Sequence, residues 1–539
     1  MAISKLLVAN RGEIAARVFR TCRELGIGTV GVAAPDDRGA LHTRVADETV
    51  EIHGYLDSEE HVRAAKETGA DAIHPGYGFL AENPEFAEAV EAAGLIFVGP
   101  TADALRSGGN KLEAKQMARG AGVPVVPEGK PGEIGFPLVV KAAAGGGGRG
   151  MRIVRDPAEL DDALDAARRE AKAAFGDDTV FCERYVERPR HVEIQLLADG
   201  QGEVVALGER ECSIQRRHQK VLEEAPSPAL DPGLRARMSQ AAVAFARAVG
   251  YRSAGTAEFM LDGRDFWFLE LNGRIQVEHP VTELVTGLDL VREQLRVAVG
   301  EPLGIGEPRL QGHAVEVRLY AEDPRTFLPQ AGRVQHLRLP KDIRVDAGVE
   351  EGDEVGVAYD PMIAKLIAHG PTRDEALLRL RDALAETEVA GLTTNLPFLR
   401  WLVRHPAVRD GRTTTAFLSE YPPLSAPPSR LPSGPWDGAW RLNLPPPAPH
   451  APPDVDDAAQ AGPGEGGEQS TLTAPMPGTV IKVLAAAGDR VEPRQTLLVL
   501  EAMKMETPIV SPYQAVVREV LVGEGDRVAG GAVLVELEE

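Results

Sequence analysis

Apolar positions in the first hundred residues come in short runs separated by turn residues. Leu6-Leu7-Val8-Ala9 reads as a strand, Asn10-Arg11-Gly12-Glu13 as a turn, the amphipathic stretch to about Leu25 as a helix and Thr29 to Ala33 as a second strand. A second cycle ends at Asp71-Ala72-Ile73-His74 and the loop Pro75-Gly76-Tyr77-Gly78, and Leu95 to Val98 makes a further strand. Strands alternating with helices predict an open parallel sheet. The first turn lacks the G-x-G-x-x-G spacing of a dinucleotide site, which argues against that ligand here.

Beyond Lys111 the pattern changes to antiparallel strand pairs with helices as far as about Leu310, then a mixed segment to about Glu420. From Tyr421 to Ser470, 50 residues hold 13 of the 41 prolines, which predicts a tether rather than a packed domain. After it the chain repeats with a 37-residue shift: Val480 falls on Val517, Val483-Leu484 on Val520-Leu521, Gly488-Asp489-Arg490-Val491 on Gly525-Asp526-Arg527-Val528. Two copies of one strand-turn-strand unit, each too small to bury its own apolar face, predict a pseudo-twofold β-sandwich. The connection Ala502-Met503-Lys504-Met505-Glu506 would present Lys504 at a tip.

Composition narrows the function classes. At 539 residues, several domains are expected. No run of about 18 apolar residues could span a bilayer, and the start Met1-Ala2-Ile3-Ser4-Lys5 carries no secretory signal, so the expected compartment is the cytoplasm. Cys22, Cys182 and Cys212 form neither a metal-ligand spacing nor a disulfide set. With 59 basic and 81 acidic side chains the formal charge is −22, which disfavours nucleic acid and anionic membranes as partners. A phosphate-bearing ligand would need a local basic site.

Four segments carry candidate chemistry. The glycine run Gly145 to Gly150 lies between two strand-like segments and lacks a following Lys-Ser or Lys-Thr; it predicts a hairpin loop able to close over a polyphosphate, with Lys141 just upstream, or a plain surface loop. The hairpin Thr256 to Asn272 turns around Asp262-Gly263. A three-residue loop centred on Arg264 would set Glu258 opposite Glu270, with Asn272 on the same face, whereas a two-residue turn would put the glutamates on opposite faces. Facing carboxylates want a bridging cation, and oxygen donors suit Mg²⁺. Downstream, Arg274, Gln276 and Glu278 alternate with Ile275 and Val277, so an extended segment would aim all three polar groups at that cation. Arginine can clamp an oxyanion and glutamate can act as base. Glu209 to Lys220 adds a dense polar run, or an exposed basic stretch.

With these residues laid out, the chain resembles the α subunit of biotin-dependent acyl-CoA carboxylases, an ATP-grasp biotin carboxylase fused to a biotin carboxyl carrier domain. The likeness rests on Asn10-Arg11-Gly12-Glu13-Ile14-Ala15, His74-Pro75-Gly76-Tyr77-Gly78-Phe79, the glycine run, Gln215-Arg216-Arg217-His218-Gln219-Lys220, Asn272 to Pro280 and Glu501-Ala502-Met503-Lys504-Met505. It implies an α/β fold: a Rossmann-like pre-ATP-grasp domain (1–110), an ATP-grasp domain (111–310), an α+β C-terminal carboxylase domain (311–420), the linker (421–470) and an all-β biotinyl domain of barrel-sandwich type (471–539). By position, Lys504 resembles the biotinyl-lysine. Lys111, Lys141, Gly147, Gly148, Glu183, Arg184, Tyr185, Val186, His191, Gln215 and His218 resemble contacts to ATP, and Glu258, Glu270 and Asn272 the ligands of Mg²⁺ or Mn²⁺. Lys220, Arg274 and Val277 resemble the bicarbonate contacts, Glu278 its base, and Arg344 the contact to the ureido oxygen of biotin.

The resemblance further implies carboxyphosphate as intermediate and carboxybiotin delivered to a carboxyltransferase β subunit acting on acetyl- or propionyl-CoA. A biotin protein ligase to load Lys504 and a homodimer of the carboxylase part are the other implied partners. Another ATP-grasp ligase, or a non-catalytic carrier or scaffold, are the competing readings. Trp436 and Trp440 in the tether either fold back on the carboxylase part or dock the β subunit.

Overall fold

The computed structural model describes residues 3–109, 111–142, 151–175, 178–216, 219–306, 308–356, 358–425, 471–474, 478–493, 495–502, 505–528 and 532–538. The sequence opens with strands β1 (Lys5–Val8), β2 (Gly28–Ala33), β3 (Glu48–Glu51), β4 (Ala72–His74) and β5 (Ile96–Phe97) in one parallel sheet of order β3-β2-β1-β4-β5, as expected except for the charged edge strand β3, which carries no apolar run. Leu6, Leu7 and Val8 are all fully buried, because β1 is covered on both faces and so reads as an unbroken apolar run. The helix Gly12–Leu25 buries Ile14, Val18, Phe19 and Cys22 on the sheet. It stops at Gly26, whose left-handed φ of 72° lets its N–H close on the Cys22 and Arg23 carbonyls.

Strands β6 (Leu138–Ala142), β7 (Arg152–Val154) and β8 (Val180–Arg184) form a small antiparallel sheet, order β7-β6-β8, under the helix Leu160–Phe175. The strands on either side of the glycine run thus pair as expected; Gly147 and Gly148 themselves lie outside the described residues.

The largest layer is an antiparallel sheet of eight strands. β9 (Arg190–Ala198), β10 (Val204–Arg216), β11 (Gln219–Ala225), β12 (Ser253–Asp262), β13 (Asp265–Asn272) and β14 (His313–Tyr320) run in the order β13-β12-β9-β10-β11-β14, and Met362–Gly370 and Arg344–Ala347 complete the edge. β14 pairs with β11 on one side and Met362–Gly370 on the other, so this sheet runs across the sequence position near 310 without a break. One face of its far half packs Val315, Val317 and Leu366 against the helices Arg373–Glu386 and Leu396–Leu402. The other face carries the short helix His279–Thr286, seated through Val281 and Val285 on Ala225, Ala314 and Ile367.

The start of the proline-rich stretch differs from the expectation of a free tether. Leu424 is buried, Tyr421 packs on the rings of His405 and Phe417, and the Ser425 carbonyl accepts from the Trp401 indole. Apolar cover for Trp401 and Phe417 outweighs the prolines over these five residues. Residues 426–470, with Trp436 and Trp440, lie outside the described residues.

The C-terminal part is two four-stranded sheets whose members obey the 37-residue shift: Gly478–Val483 becomes Ala515–Val520, Arg490–Val491 becomes Arg527–Val528, and Thr496–Ala502 becomes Val533–Glu538. Each copy lends its shortest strand to the other's sheet, Arg527–Val528 pairing with Gly478–Val483 and Arg490–Val491 with Ala515–Val520. The interlock answers why neither half suffices alone. Thr496–Ala502 and Met505–Val510 pair down to Ala502 opposite Met505; Met503 and Lys504 between them lie outside the described residues.

Candidate functional site

The hairpin of β12 and β13 sets the site, by a route the sequence reading missed. Its turn has two residues, since Asp262 pairs with Asp265, and not three centred on Arg264. Phe259 pairs with Phe268, but Glu258 pairs with Glu270: Leu269 is a bulge that restores the facing register a two-residue turn would have broken. Glu258 and Glu270 are therefore opposite each other, with Thr256 opposite Asn272. Glu270 and Asn272 line a cavity of about 320 Å³ together with Glu82, Leu105, Gly108 and Gly273.

Lys220 is the centre of charge. Its ammonium donates to Glu193 at 2.5 Å, Glu258 at 2.8 Å and Glu278 at 2.6 Å, three carboxylates brought from β9, β12 and the start of the helix His279–Thr286. Burial alone would lower the lysine's proton affinity; the three carboxylates raise its pKa well above the ordinary value. Burial likewise opposes the charge on Glu258, yet Lys220 and His191 hold its pKa well below the carboxylate range. The imidazole of His191 lies 3.0 Å from Glu258, and that carboxylate overcomes burial to raise the histidine's pKa. Glu278 is pushed up by burial and pulled down further by Lys220 and Arg318, so its pKa is lowered.

Glu193 also takes Arg210, a fully buried guanidinium that donates to Gln195, Thr256 and Thr282 as well. A buried charge this well bonded is costly only when one partner is removed.

The segment after Asn272 is not extended as expected: Glu278 caps a helix, and the polar side chains converge by turning. Arg274 donates to Glu82 at 3.0 Å, Asn272 at 2.9 Å and Gln276 at 3.0 Å, and Gln276 donates to Glu258 at 3.1 Å. The Val277 carbonyl accepts from the buried Lys365 at 2.8 Å. Lys365 also lies 3.2 Å from Glu13, which Tyr77 contacts through its hydroxyl, tying both N-terminal motifs to this loop.

Arg344 belongs to a neighbouring group. It donates to Glu283 at 2.7 Å and Asp346 at 2.8 Å, beside Arg17 and Arg20. Burial opposes its charge, but Asp346 and Glu283 raise its pKa.

On the small sheet, Lys141 donates to Glu183 at 2.5 Å, and Lys115 reaches the same carboxylate. Arg184 is exposed and Val186 buried; the Arg184 and Tyr185 N–H groups close on the Pro127 and Pro137 carbonyls, so this segment links the small sheet to β9. Gln215, paired with Lys220 across β10 and β11, donates to the Cys212 carbonyl. Lys111 begins the helix Lys111–Gly120. His218 and Lys504 lie outside the described residues. Sequence reasoning missed Glu82, Glu193, Arg210, Arg318 and Lys365. The available signal was a charge inside an apolar strand run, as in Ala314-Val315-Glu316-Val317-Arg318-Leu319 and Ile363-Ala364-Lys365-Leu366, which a half-wet strand would not place there.

Four family profiles match: biotin carboxylase N-terminal domain over 2–105, the ATP-binding domain of the carbamoyl-phosphate synthase L chain over 130–305, biotin carboxylase C-terminal domain over 316–420, and biotin-requiring enzyme over 470–537. The propionyl-CoA carboxylase alpha chain of Ruegeria pomeroyi is 48% identical over 465 residues, spanning 78% of this chain and 68% of the relative. The biotin carboxylase of Haemophilus influenzae is 47% identical over 442 residues, 78% of this chain and 98% of that one. Among solved structures, the biotin carboxylase domain dimer of Hydrogenobacter thermophilus 2-oxoglutarate carboxylase, with MgADP, ADP and bicarbonate, is 43% identical with a TM-score of 0.74, covering 78% of this chain and 98% of that chain.

Fold and site thus define an ATP-dependent ligase of mixed α/β architecture. The chain belongs to the biotin carboxylase family, carries a biotin carrier domain after the carboxylase part, and is homologous to acyl-CoA carboxylase alpha chains. Its reaction is the ATP-dependent carboxylation of biotin.

Proposed function

We propose that the cluster around Lys220 is where bicarbonate meets ATP, and that Glu258, Glu270 and Asn272 hold the Mg²⁺ that accompanies the nucleotide. The observation that carries this reading is the bulged register, which puts two carboxylates and the Asn272 amide side by side next to the Lys220–Glu278 pair. Hard oxygen donors of this kind fit the ion. Bound there, it would neutralise charge on the phosphates. Lys141, with Gly147, Gly148 and His218 by sequence position, faces the nucleotide, and residues 183–186 flank its base.

Lys220 and Arg274 fix the bicarbonate anion against the Val277 loop, and Glu278 takes its O–H proton. The freed oxygen attacks the γ-phosphorus, ADP leaves with the bond electrons, and carboxyphosphate results. By its sequence the glycine run suits a loop that would close over the phosphates and exclude water. Arg344 would contact the ureido oxygen of biotin, and Lys504 would carry that biotin.

For the whole assembly we infer a carboxyltransferase β subunit, an acetyl- or propionyl-CoA substrate, a biotin protein ligase acting on Lys504 and a carboxylase homodimer like that of the solved relative. Among the described residues no helix is long and apolar enough to cross a membrane. The three cysteines are buried and unpaired, which suits the cytoplasm. The test is ADP release with ATP, Mg²⁺, bicarbonate and free biotin. Glu270→Gln should abolish it with the fold intact; turnover retained at limiting Mg²⁺ would refute the metal assignment.

A further inference from the structure

One buried pair has no part in that reading. Glu223 and Glu316 stand directly opposite each other across β11 and β14, both wholly buried, and neither oxygen of Glu316 has a hydrogen-bond partner. Two carboxylates facing in a dry sheet cannot both carry charge. The charged and titratable groups around them are Arg318 and Tyr320 on β14, Lys365 across from Arg318 on Met362–Gly370, Lys220 on β11, Cys212 on β10, and Glu278 at the start of the overlying helix.

Arg318 joins this pair to the reaction. The same nitrogen, Nη2, lies 2.5 Å from Glu223 and 3.0 Å from Glu278, so one guanidinium serves two carboxylates. A glutamate held by both Lys220 and Arg318 is a weak base, and anything that draws Arg318 away strengthens it.

We propose that Glu223, backed by Glu316, is a positioning residue for the carboxylation step: once ionised, it takes its share of Arg318 and so frees Glu278 to accept the bicarbonate proton. This rests on the reading of Glu278 as the base. Burial, opposed by Arg318 and reinforced by Glu278, brings the Glu223 pKa up to about 7. Burial raises that of Glu316 well above the ordinary value, so Glu316 keeps its proton while Glu223 changes charge. Below that range Glu223 is neutral and Arg318 bears fully on Glu278. Above it, Glu223 competes for Arg318 and Glu278 gains proton affinity. Turnover should therefore rise through neutral pH by a term that belongs to Glu223.

The experiment is the pH profile of ADP release by the full chain with Mg-ATP and free biotin, the bicarbonate anion held at one concentration. Glu223→Gln should lose the Glu223 part of the rise and lower kcat roughly tenfold above pH 7, with KM for ATP unchanged. Glu316→Gln keeps a neutral group opposite Glu223 and should leave the rise in place. A Glu223→Gln profile identical in shape to wild type would overturn the inference. Should that variant melt far below wild type, Glu223→Asp decides: a carboxylate of shorter reach must shift the rise, and an unshifted rise overturns the proposal. Glu278→Gln separates the two layers. Retained turnover there refutes the base itself, whereas lost turnover there with an unaltered Glu223→Gln profile refutes only the positioning role.

Discussion

The carboxylase sheet and the carrier sandwich are both antiparallel β structures, and they fill their interiors with opposite materials. Glu193, Arg210, Glu223, Glu316, Arg318 and Lys365 are all buried between strands of the large sheet and their cover. In the carrier, among the described residues, the buried side chains are Val480, Leu498, Leu500, Val517, Leu534 and others like them, and Ser511 is the one buried polar residue. A dry interior makes each charge strong and each missing partner expensive, which serves a reaction centre. An apolar core gives a body whose folding is indifferent to proton traffic, which suits the proposed role of carrying biotin on Lys504.

The largest expected effect breaks the comparison at its charged side. Lys220→Met leaves Glu193, Glu258 and Glu278 facing one another without their cation. It should cost about 3–5 kcal/mol of carboxylase stability and abolish ATP turnover. Differential scanning calorimetry should show the carboxylase transition falling while the carrier transition stays. Leu498→Ala is the mirror experiment: an emptied site in the carrier core should cost about 2–5 kcal/mol of carrier stability. ADP release with free biotin should be unchanged, and a loss there would mean the two parts do not fold independently.

A pH scan sharpens the same contrast with a smaller effect. Glu258 and Glu224 are pushed up by burial, but Lys220 and His191 for the first, and His313 and Arg373 for the second, lower their pKa below 4.5. A lowered folded pKa gives stability that is present above about 4.5 and lost as pH falls through the folded value. Glu223 runs the other way: raised to about 7, it gives stability that is present below 4.5 and lost as pH rises through 7. The carboxylase melting temperature should thus peak at about 4.5 and decline from there towards 7, with Glu223→Gln flattening that decline. The carrier buries no carboxylate among its described residues and should lack the peak.

The contrast also explains what could be read from the chain. The carrier was legible because its two halves repeat one pattern of apolar and turn residues, and apolar packing repeats with the residues that make it. The parallel sheet was legible from its apolar runs. The facing of Glu258 and Glu270 was legible from the hairpin, but the route to it was not. The bulge at Leu269 follows from how β13 meets its neighbours, not from any local turn signal. Glu193 meets Lys220 across β10, and Glu223 meets Glu278 through Arg318, so these partnerships exist only once the sheet order does.

The smallest expected effect concerns two leucines that the repeat makes equivalent. Leu484 and Leu521 follow equivalent strands of the carrier and are 57% and 45% exposed, unusual for a body whose inside holds nearly all its apolar side chains. If the sandwich core is complete without them, their exposure costs the fold nothing, because scattered surface leucines are ordinary and their loss removes little buried area. Leu484→Ser and Leu521→Ser should then each shift carrier stability by less than about 0.5 kcal/mol, measured by chemical denaturation of the full chain, and the double variant should be additive. A cost above about 1 kcal/mol for either alone would place that leucine in the core. The apolar interior would then reach beyond the strands into the loop that follows one of them, and the two halves would not be equivalent there.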